Sequence, residues 1–328
     1  MGFNRENYRR IKEEYDGKSR RAENEARARC DELHLRFPEI AEIDLQLNQT
    51  GIEIFEATVK YHGNELQKEM SAIKDKNRVL LDKRAAILRE NGLPSDYSDI
   101  RYECSDCSDT GYIGINMCHC MREKLVCAGY DSSGIGNLIR KKKFDNFDPT
   151  RQNDKRAVDN NTLVYRYCKN YAERFDVKKS GNILMIGGTG LGKTHLAAAI
   201  TGKVVERGYD VVCETAQNLF SDFEFERFGR SYSTQGEGDS KKTDKYFECD
   251  LLIIDDLGSE MTNQFTVSCL YNIVNTRMNR GIPTIINTNL TRDDINKRYT
   301  DRIASRFFGE YQVMVLLGTD MREQNLNR

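Results

Sequence analysis

The chain has 328 residues, with 50 Lys and Arg against 51 Asp and Glu, for a formal net charge of −1. That length admits two domains and a large core, and the even balance excludes a global basic field, so any nucleic-acid contact must come from a local patch. Met1 to Glu6 has no apolar leader and no stretch approaches the roughly 18–20 apolar residues of a membrane span, so the expected setting is cytoplasmic with no membrane partner.

Residues 1–95 are rich in Glu, Lys, Arg and Ala. Leu66, Met70, Ile73, Leu80, Leu81, Ile87 and Leu88 recur there at three-, four- and seven-residue spacings, which predicts helices, arranged as a hairpin. Arg84 interrupts the apolar stripe and Asn77 occupies another seam position, against one long coiled coil. Gly51, Gly63 and Gly92-Leu93-Pro94 are the expected breaks. The region reads as a helical bundle with solvated charged faces, whose use is to hold a protein partner.

Residues 96–139 carry a cysteine module. The chain has ten cysteines and no secretion signal, which points to reduced thiols and metal rather than a disulfide framework. Cys104 and Cys107 form a C-x2-C pair and Cys118 and Cys120 a C-x-C pair, with ten residues between. That spacing can bring four thiolates round one tetrahedral Zn²⁺ across a short ribbon. An iron–sulfur cluster and free thiols are the alternatives, since ligand softness does not separate the metals, and His119 could replace one cysteine. A closed four-ligand site braces a fold rather than catalysing. Cys30, Cys127, Cys168, Cys213, Cys249 and Cys269 are scattered, as expected for cysteines packed as small apolar residues.

Residues 140–328 read as a nucleotide domain, entered through the basic run Arg140-Lys141-Lys142-Lys143 and Phe144-Asp145-Asn146-Phe147. The basic run reads first as a solvated face, and second as a phosphate or DNA contact. Asn182 to Ile186, Asp210 to Cys213, Asp250 to Ile254, Thr284 to Asn287 and Gln312 to Leu316 are five predicted strands alternating with helical segments, the signature of a parallel sheet covered on both faces. Gly187-Gly188-Thr189-Gly190-Leu191-Gly192-Lys193-Thr194 joins the first of these strands to a helix opening at His195. Its glycines let backbone N–H groups converge on phosphate oxygens, Lys193 can reach the β- and γ-phosphates, and Thr194 can place its hydroxyl on Mg²⁺. Asp255 and Asp256 end the third strand, the first as the natural Mg²⁺ partner and the second placed to polarise an attacking water. These residues predict binding of a nucleoside triphosphate with Mg²⁺.

Asn289, at the end of the fourth strand, could orient water near the γ-phosphate; the alternative is a turn amide. Arg302 and Arg306 lie four apart on one helix face, positioned either to act on a neighbour's nucleotide or to form ordinary salt bridges. Arg322 is a weaker candidate for sensing nucleotide in cis. Gln217 to Arg230 offers aromatics with Arg227 and Arg230 for stacking and tracking single-stranded DNA; its three acidic residues would repel phosphate, and its phenylalanines equally suit a core. Gly229 to Lys245 reads as a mobile surface loop.

Together, the cysteine cluster with its Asp109-Thr110-Gly111 core, the Phe144-Asp145-Asn146-Phe147 linker, GGTGLGKTH, LIIDDLG, NTNL and DRIASRF resemble the DnaC/DnaI family of replicative helicase loaders. These are AAA+ ATPases related to the initiator DnaA and to IstB transposition helpers. The likeness covers about residues 100–325; residues 1–95 share only a helical, charged character. It implies an AAA+ P-loop fold, with a zinc-bearing N-terminal region gripping the replicative DNA helicase and an ATPase domain that self-associates and binds single-stranded DNA. Gly187 to His195, with Asp255, would then bind Mg-ATP, Asn289 would be sensor 1, Arg306 the arginine finger and Arg322 the sensor 2 arginine. Asp-Asp at 255–256, in place of the Asp-Glu of many AAA+ enzymes, fits a slow, switch-like ATPase stimulated by its partners. The implied function is ATP-dependent helicase loading in replication initiation. The alternatives are an IstB-like transposition helper and a helicase adaptor that binds ATP without significant turnover.

Overall fold

The computed structural model describes residues 3–228 and 242–320. The chain divides into two compact units, one formed by Lys12–Cys120 and the other by residues 1–11 with Met121–Arg328.

The Lys12–Cys120 unit contains most of α1 (Arg5–Arg36), then α2 (Pro38–Lys60) and α3 (Gly63–Glu90). The chain leaves α1 at Phe37 and re-enters a helix at Pro38, where the missing N–H of proline has no helical partner to lose. This break was not among those expected. Gly63 opens α3 and Gly92 follows its end, both at positive φ, whereas Gly51 lies inside α2 without interrupting it. An exposed helical glycine costs only about 1 kcal/mol against alanine, and the packing of α2 on α3 offsets that. Ile43, Thr50 and Ala57 on α2 and Ile73 and Leu80 on α3 are buried, but Leu81 and Met70 are exposed. The polar seam residues are paired across the hairpin: Thr50 donates to Asn77 at 2.9 Å and Arg84 Nε donates to Asp44 at 2.8 Å. Leu33, Ile40 and Leu88 close the far end as a small core.

A two-residue-per-strand hairpin follows, β1 (Tyr112–Ile113) with β2 (Asn116–Met117), turning at Gly114 with φ of 60° as such tight turns demand. Helix α4 (His119–Ser132) begins at the cysteine module and continues into the other unit.

There, α5 (Gly136–Lys141), a 3-10 turn (Phe144–Asn146) and α6 (Lys155–Glu173) precede β3 (Asn182–Ile186). The chain then runs α7 (Lys193–Glu206), β4 (Val211–Thr215), α8 (Ala216–Phe228), α9 (Lys245–Glu248), β5 (Leu251–Leu257), α10 (Gln264–Arg280), β6 (Thr284–Thr288), α11 (Arg292–Arg298), α12 (Asp301–Glu310) and β7 (Tyr311–Val315). The strands form one parallel sheet in the order β4-β5-β6-β3-β7. It is the parallel sheet covered by helices on both faces that the sequence implied. Alternate residues of each strand feed two cores: Ile183, Met185 and Ile253 face α6 and α7, while Leu184, Leu252 and Ile254 face α8, α10 and α12. Burial on both faces explains why these strands read as continuous apolar runs. Among the described residues, no helix is long and apolar enough to cross a membrane. Most of the expected Gly229–Lys245 loop, together with Arg230 and Arg322, lies outside the described residues.

Candidate nucleotide site and cysteine cluster

A cavity of about 500 Å³ opens at the C-terminal ends of β3 and β5. Open α/β sheets bind ligands at that edge. Its wall includes the loop residues Thr189 to Thr194 and His195, together with Asp255, Asp256 and Asn289. Gly187 and Gly188 complete the loop but do not line the cavity. Gly192 caps α7 at φ of 96°, a left-handed conformation that lets the loop turn directly into the helix. Lys193 is 8% exposed, and its ammonium donates to the carbonyls of Gly187 (2.6 Å) and Gly188 (2.8 Å). The amine is thus held at the loop, within a site whose N–H groups and helix N-terminus favour anions.

β5 and β6 slip register between Ile254 and Leu257, and Asp256 sits in that irregularity at φ of 56°. A bulge re-aims side chains at a sheet edge, and here it leaves Asp256 exposed in the cavity while Asp255 stays 9% exposed. A left-handed non-glycine residue costs on the order of 1–3 kcal/mol, strain that the surrounding strands must hold.

Beneath this pair lies a residue the sequence reading missed. Asn287 is fully buried; its Nδ2 donates to Asp255 Oδ1 at 2.7 Å, and its own Oδ1 has no partner. A carboxylate can only accept here, so the amide must turn its N–H toward Asp255. The available signal was its place in the apolar run of β6, where a fully buried amide needs a polar partner.

The linker before the domain is also part of the wall. Leu138, Lys142, Asn146, Phe147, Asp148 and Arg151 line the cavity, so the segment read as a linker is a side of the site. Phe147 is buried edge-on to His195 at 5.1 Å, and His195 Nε2 meets Lys143 O at 2.9 Å. Burial pushes the His195 imidazole below its ordinary pKa, favouring the neutral form.

Arg306 does not line this cavity. Its guanidinium donates to Arg302 O, Tyr271 Oη and Asn275 Oδ1 and stacks 4.7 Å over the Tyr271 ring. All these partners are neutral; among the described residues no carboxylate pairs with it, so the ordinary salt-bridge alternative does not describe it. In α8, Phe220 is buried and Phe223 packs on the core, Phe225 is 70% exposed, and Arg227 lies 5.0 Å over the Phe265 ring. The core reading thus holds for Phe220 and Phe223.

In the other unit, Cys104, Cys107, Cys118 and Cys120 bring four sulfurs within 4.8 Å of one another, with Cys104 to Cys118 at 3.8 Å and Cys107 to Cys120 at 3.6 Å. A tetrahedral ion with metal–sulfur bonds of about 2.3 Å has edges of about 3.8 Å. A multi-iron cluster needs more room than these gaps provide. Asp109, buried at φ of 56°, accepts from the N–H of Glu103 and of Cys104, both at 2.8 Å, and so fixes the first knuckle. Cys118 N donates to Gly111 O at 2.8 Å, which fixes the second across the hairpin. His119, with a side chain 60% exposed, stands outside the group. Of the cysteines expected to pack as apolar residues, Cys168, Cys213, Cys249 and Cys269 are buried, but Cys127 is exposed and Cys30 lies beside His34.

Residues 136–313 match the profile of the family described as IstB-like ATP binding protein. The chromosomal replication initiator protein DnaA of Campylobacter jejuni subsp. doylei is 35% identical over 153 residues, covering 45% of this chain and 32% of that protein. The chain therefore spans about a third of the length of such relatives. The replicative helicase loader DnaC of Escherichia coli is 26% identical over 180 residues, 54% of this chain and 67% of that one. A crystal structure of the DnaC helicase loader superposes with a TM-score of 0.45 at 18% identity, covering 55% of this chain and 98% of that chain.

Proposed function

The chain belongs to the IstB-like ATP binding protein family, and from that premise we propose that it is an ATP-dependent loader of the replicative DNA helicase. The observation that carries the reading is the cavity in which the glycine loop, Lys193, Thr194, Asp255, Asp256 and Asn289 converge. Loop amides and Lys193 bind the phosphates of ATP, Thr194 and Asp255 hold Mg²⁺, and Asp256 and Asn289 orient the attacking water. Phe147, beside His195, supplies an apolar surface at the rim. Arg306, outside its own chain's cavity and with no carboxylate partner among the described residues, completes the site of a neighbouring copy, and Arg322 senses nucleotide in cis. Hydrolysis is slow and partner-stimulated, and nucleotide state controls the grip on helicase and single-stranded DNA.

On this reading residues 1–95 hold the helicase, residues 96–139 carry structural zinc on Cys104, Cys107, Cys118 and Cys120, and residues 140–328 form the ATPase. The 26% identity to a helicase loader over half the chain supports this choice. A second reading, a transposition helper that acts on a transposase, has the IstB-like family match in its favour. A helicase adaptor that binds ATP without turnover is the remaining alternative.

The test is light scattering of the full chain with its host's replicative helicase, in ATP and in ADP, beside ATP turnover with and without single-stranded DNA. A helicase complex whose stability changes with nucleotide supports the loader. No complex in either nucleotide sinks it, and ATP binding with no turnover under any condition sinks the ATPase in favour of an adaptor.

A further inference from the structure

We propose that Cys30, His34 and Asp44 form a second metal site, separate from the four-cysteine cluster, for a divalent transition-metal ion of the zinc type. Residues four apart on a helix share a face, so α1 presents the Cys30 thiol and the His34 imidazole one turn apart. The reversal at Phe37-Pro38 brings the second turn of α2 back alongside, and Asp44 with it. Cys30 Sγ lies 3.5 Å from His34 Nε2, and His34 Nε2 lies 2.9 Å from Asp44 Oδ2; the three ligand atoms all fall within 4.8 Å of one another.

These separations suit a metal. A tetrahedral ion with bonds of about 2.3 Å to sulfur and 2.0 Å to nitrogen holds those ligands about 3.5 Å apart. The nitrogen–oxygen distance is that of a hydrogen bond, and an ion has to widen it by a few tenths of an ångström. One nitrogen, Nε2, faces both other ligands, so a single imidazole orientation serves the whole set.

The surroundings orient the carboxylate as outer-shell groups do at metal sites. Arg84 Nε donates to Asp44 Oδ1 at 2.8 Å, and Arg84 Nη2 donates to Ser98 Oγ at 2.8 Å and, at a longer 3.5 Å, to Asp44 Oδ2, whose nearer partner is His34 Nε2 at 2.9 Å. The side chains of Asp44 and Arg84 are only 16% and 13% exposed. Thiolate and carboxylate together outweigh the guanidinium, so the site stays net negative toward a dication, though less so than four thiolates. It therefore binds more weakly than the four-cysteine cluster and keeps one position open for water or an exogenous ligand. The thiol binds a metal only as thiolate, so uptake at Cys30 displaces a proton. The same arrangement gives Arg84, an interruption of an apolar stripe, a task in the fold.

The test is a Co²⁺ titration of the full chain, stripped of metal under reducing conditions and followed by thiolate-to-cobalt and d–d absorption. Two equivalents are expected: a tight one with the spectrum of four thiolates, and a weaker one with a single thiolate. Cys30→Ser and His34→Gln should each weaken the second by about tenfold or more while leaving the first intact, which also reports that the fold survives. Cys104→Ser should abolish the first and spare the second. One equivalent in the unaltered chain, or a second equivalent indifferent to both Cys30→Ser and His34→Gln, overturns the proposal.

Discussion

Replacing Asn287 by leucine isolates the support of the Asp255 carboxylate, the proposed Mg²⁺ ligand, from the fold around it. The Nδ2 to Asp255 Oδ1 bond is 2.7 Å long and fully buried. A hydrogen bond to a charged group contributes about 1.5–3 kcal/mol. At about 1.4 kcal/mol per tenfold, its loss predicts a rise of roughly 10- to 150-fold in the Mg²⁺ concentration needed for half-maximal ATP turnover. Stability should move far less. Asn287 Oδ1 is buried without a partner, a defect of about 1–3 kcal/mol that leucine removes, and the two effects oppose each other in the fold. The assay is Mg²⁺-dependent turnover and fluorescent-nucleotide binding with and without Mg²⁺, beside a urea melt. Nucleotide binding without Mg²⁺ should be unchanged. A Mg²⁺ requirement within twofold of the unaltered protein refutes the argument, and so does a loss of stability large enough to account for the activity change.

Lys193→Ala removes the ammonium now held by Gly187 O and Gly188 O, and is expected to abolish the rise in melting temperature on adding Mg-ATP; a rise equal to that of the unaltered protein refutes the phosphate role. Arg306→Ala should bind ATP normally but lose stimulated hydrolysis by about a thousandfold, the scale of an arginine finger. Normal stimulated turnover would remove Arg306 from the site. Arg277→Met strips the fully buried guanidinium from Tyr246 O, Cys249 O, Pro283 O and Thr284 Oγ1 and leaves buried acceptors unpaired, so it should destabilise by about 1–3 kcal/mol or more in urea; an unchanged melt contradicts it.

The nucleotide domain was legible because its signals are local. Asn182 to Ile186 is an apolar run held on both faces, and the glycine loop follows without a gap, so strand, loop and helix are written in contiguous residues. The helical region was less so. Gly51 is a helix breaker only when nothing offsets its cost, and α2 packed on α3 does. Asn77 and Arg84 looked like flaws in a stripe because their partners, Thr50 and Asp44, lie 27 and 40 residues away. A pairing across a hairpin depends on register, and register is not visible in either helix alone.

The same distinction governs the site. Lys193, Thr194 and Asp255 stand in motifs whose chemistry follows from residue type and spacing, whereas Asn287 and Phe147 matter because of where the sheet puts them. Asn287 has the same side chain as Asn289 two positions on; one is exposed at the rim and the other buried beneath Asp255. Residue type does not separate them: Asn287 lies inside β6 and Asn289 just past its end, and the pairing of Asn287 with Asp255 depends on the register of β5 against β6. Phe147 likewise becomes part of the cavity only because α7 carries His195 against it. Chemistry that a short motif carries can be read from sequence; chemistry that a residue acquires by tertiary position cannot, and the support of Asp255 is of the second kind.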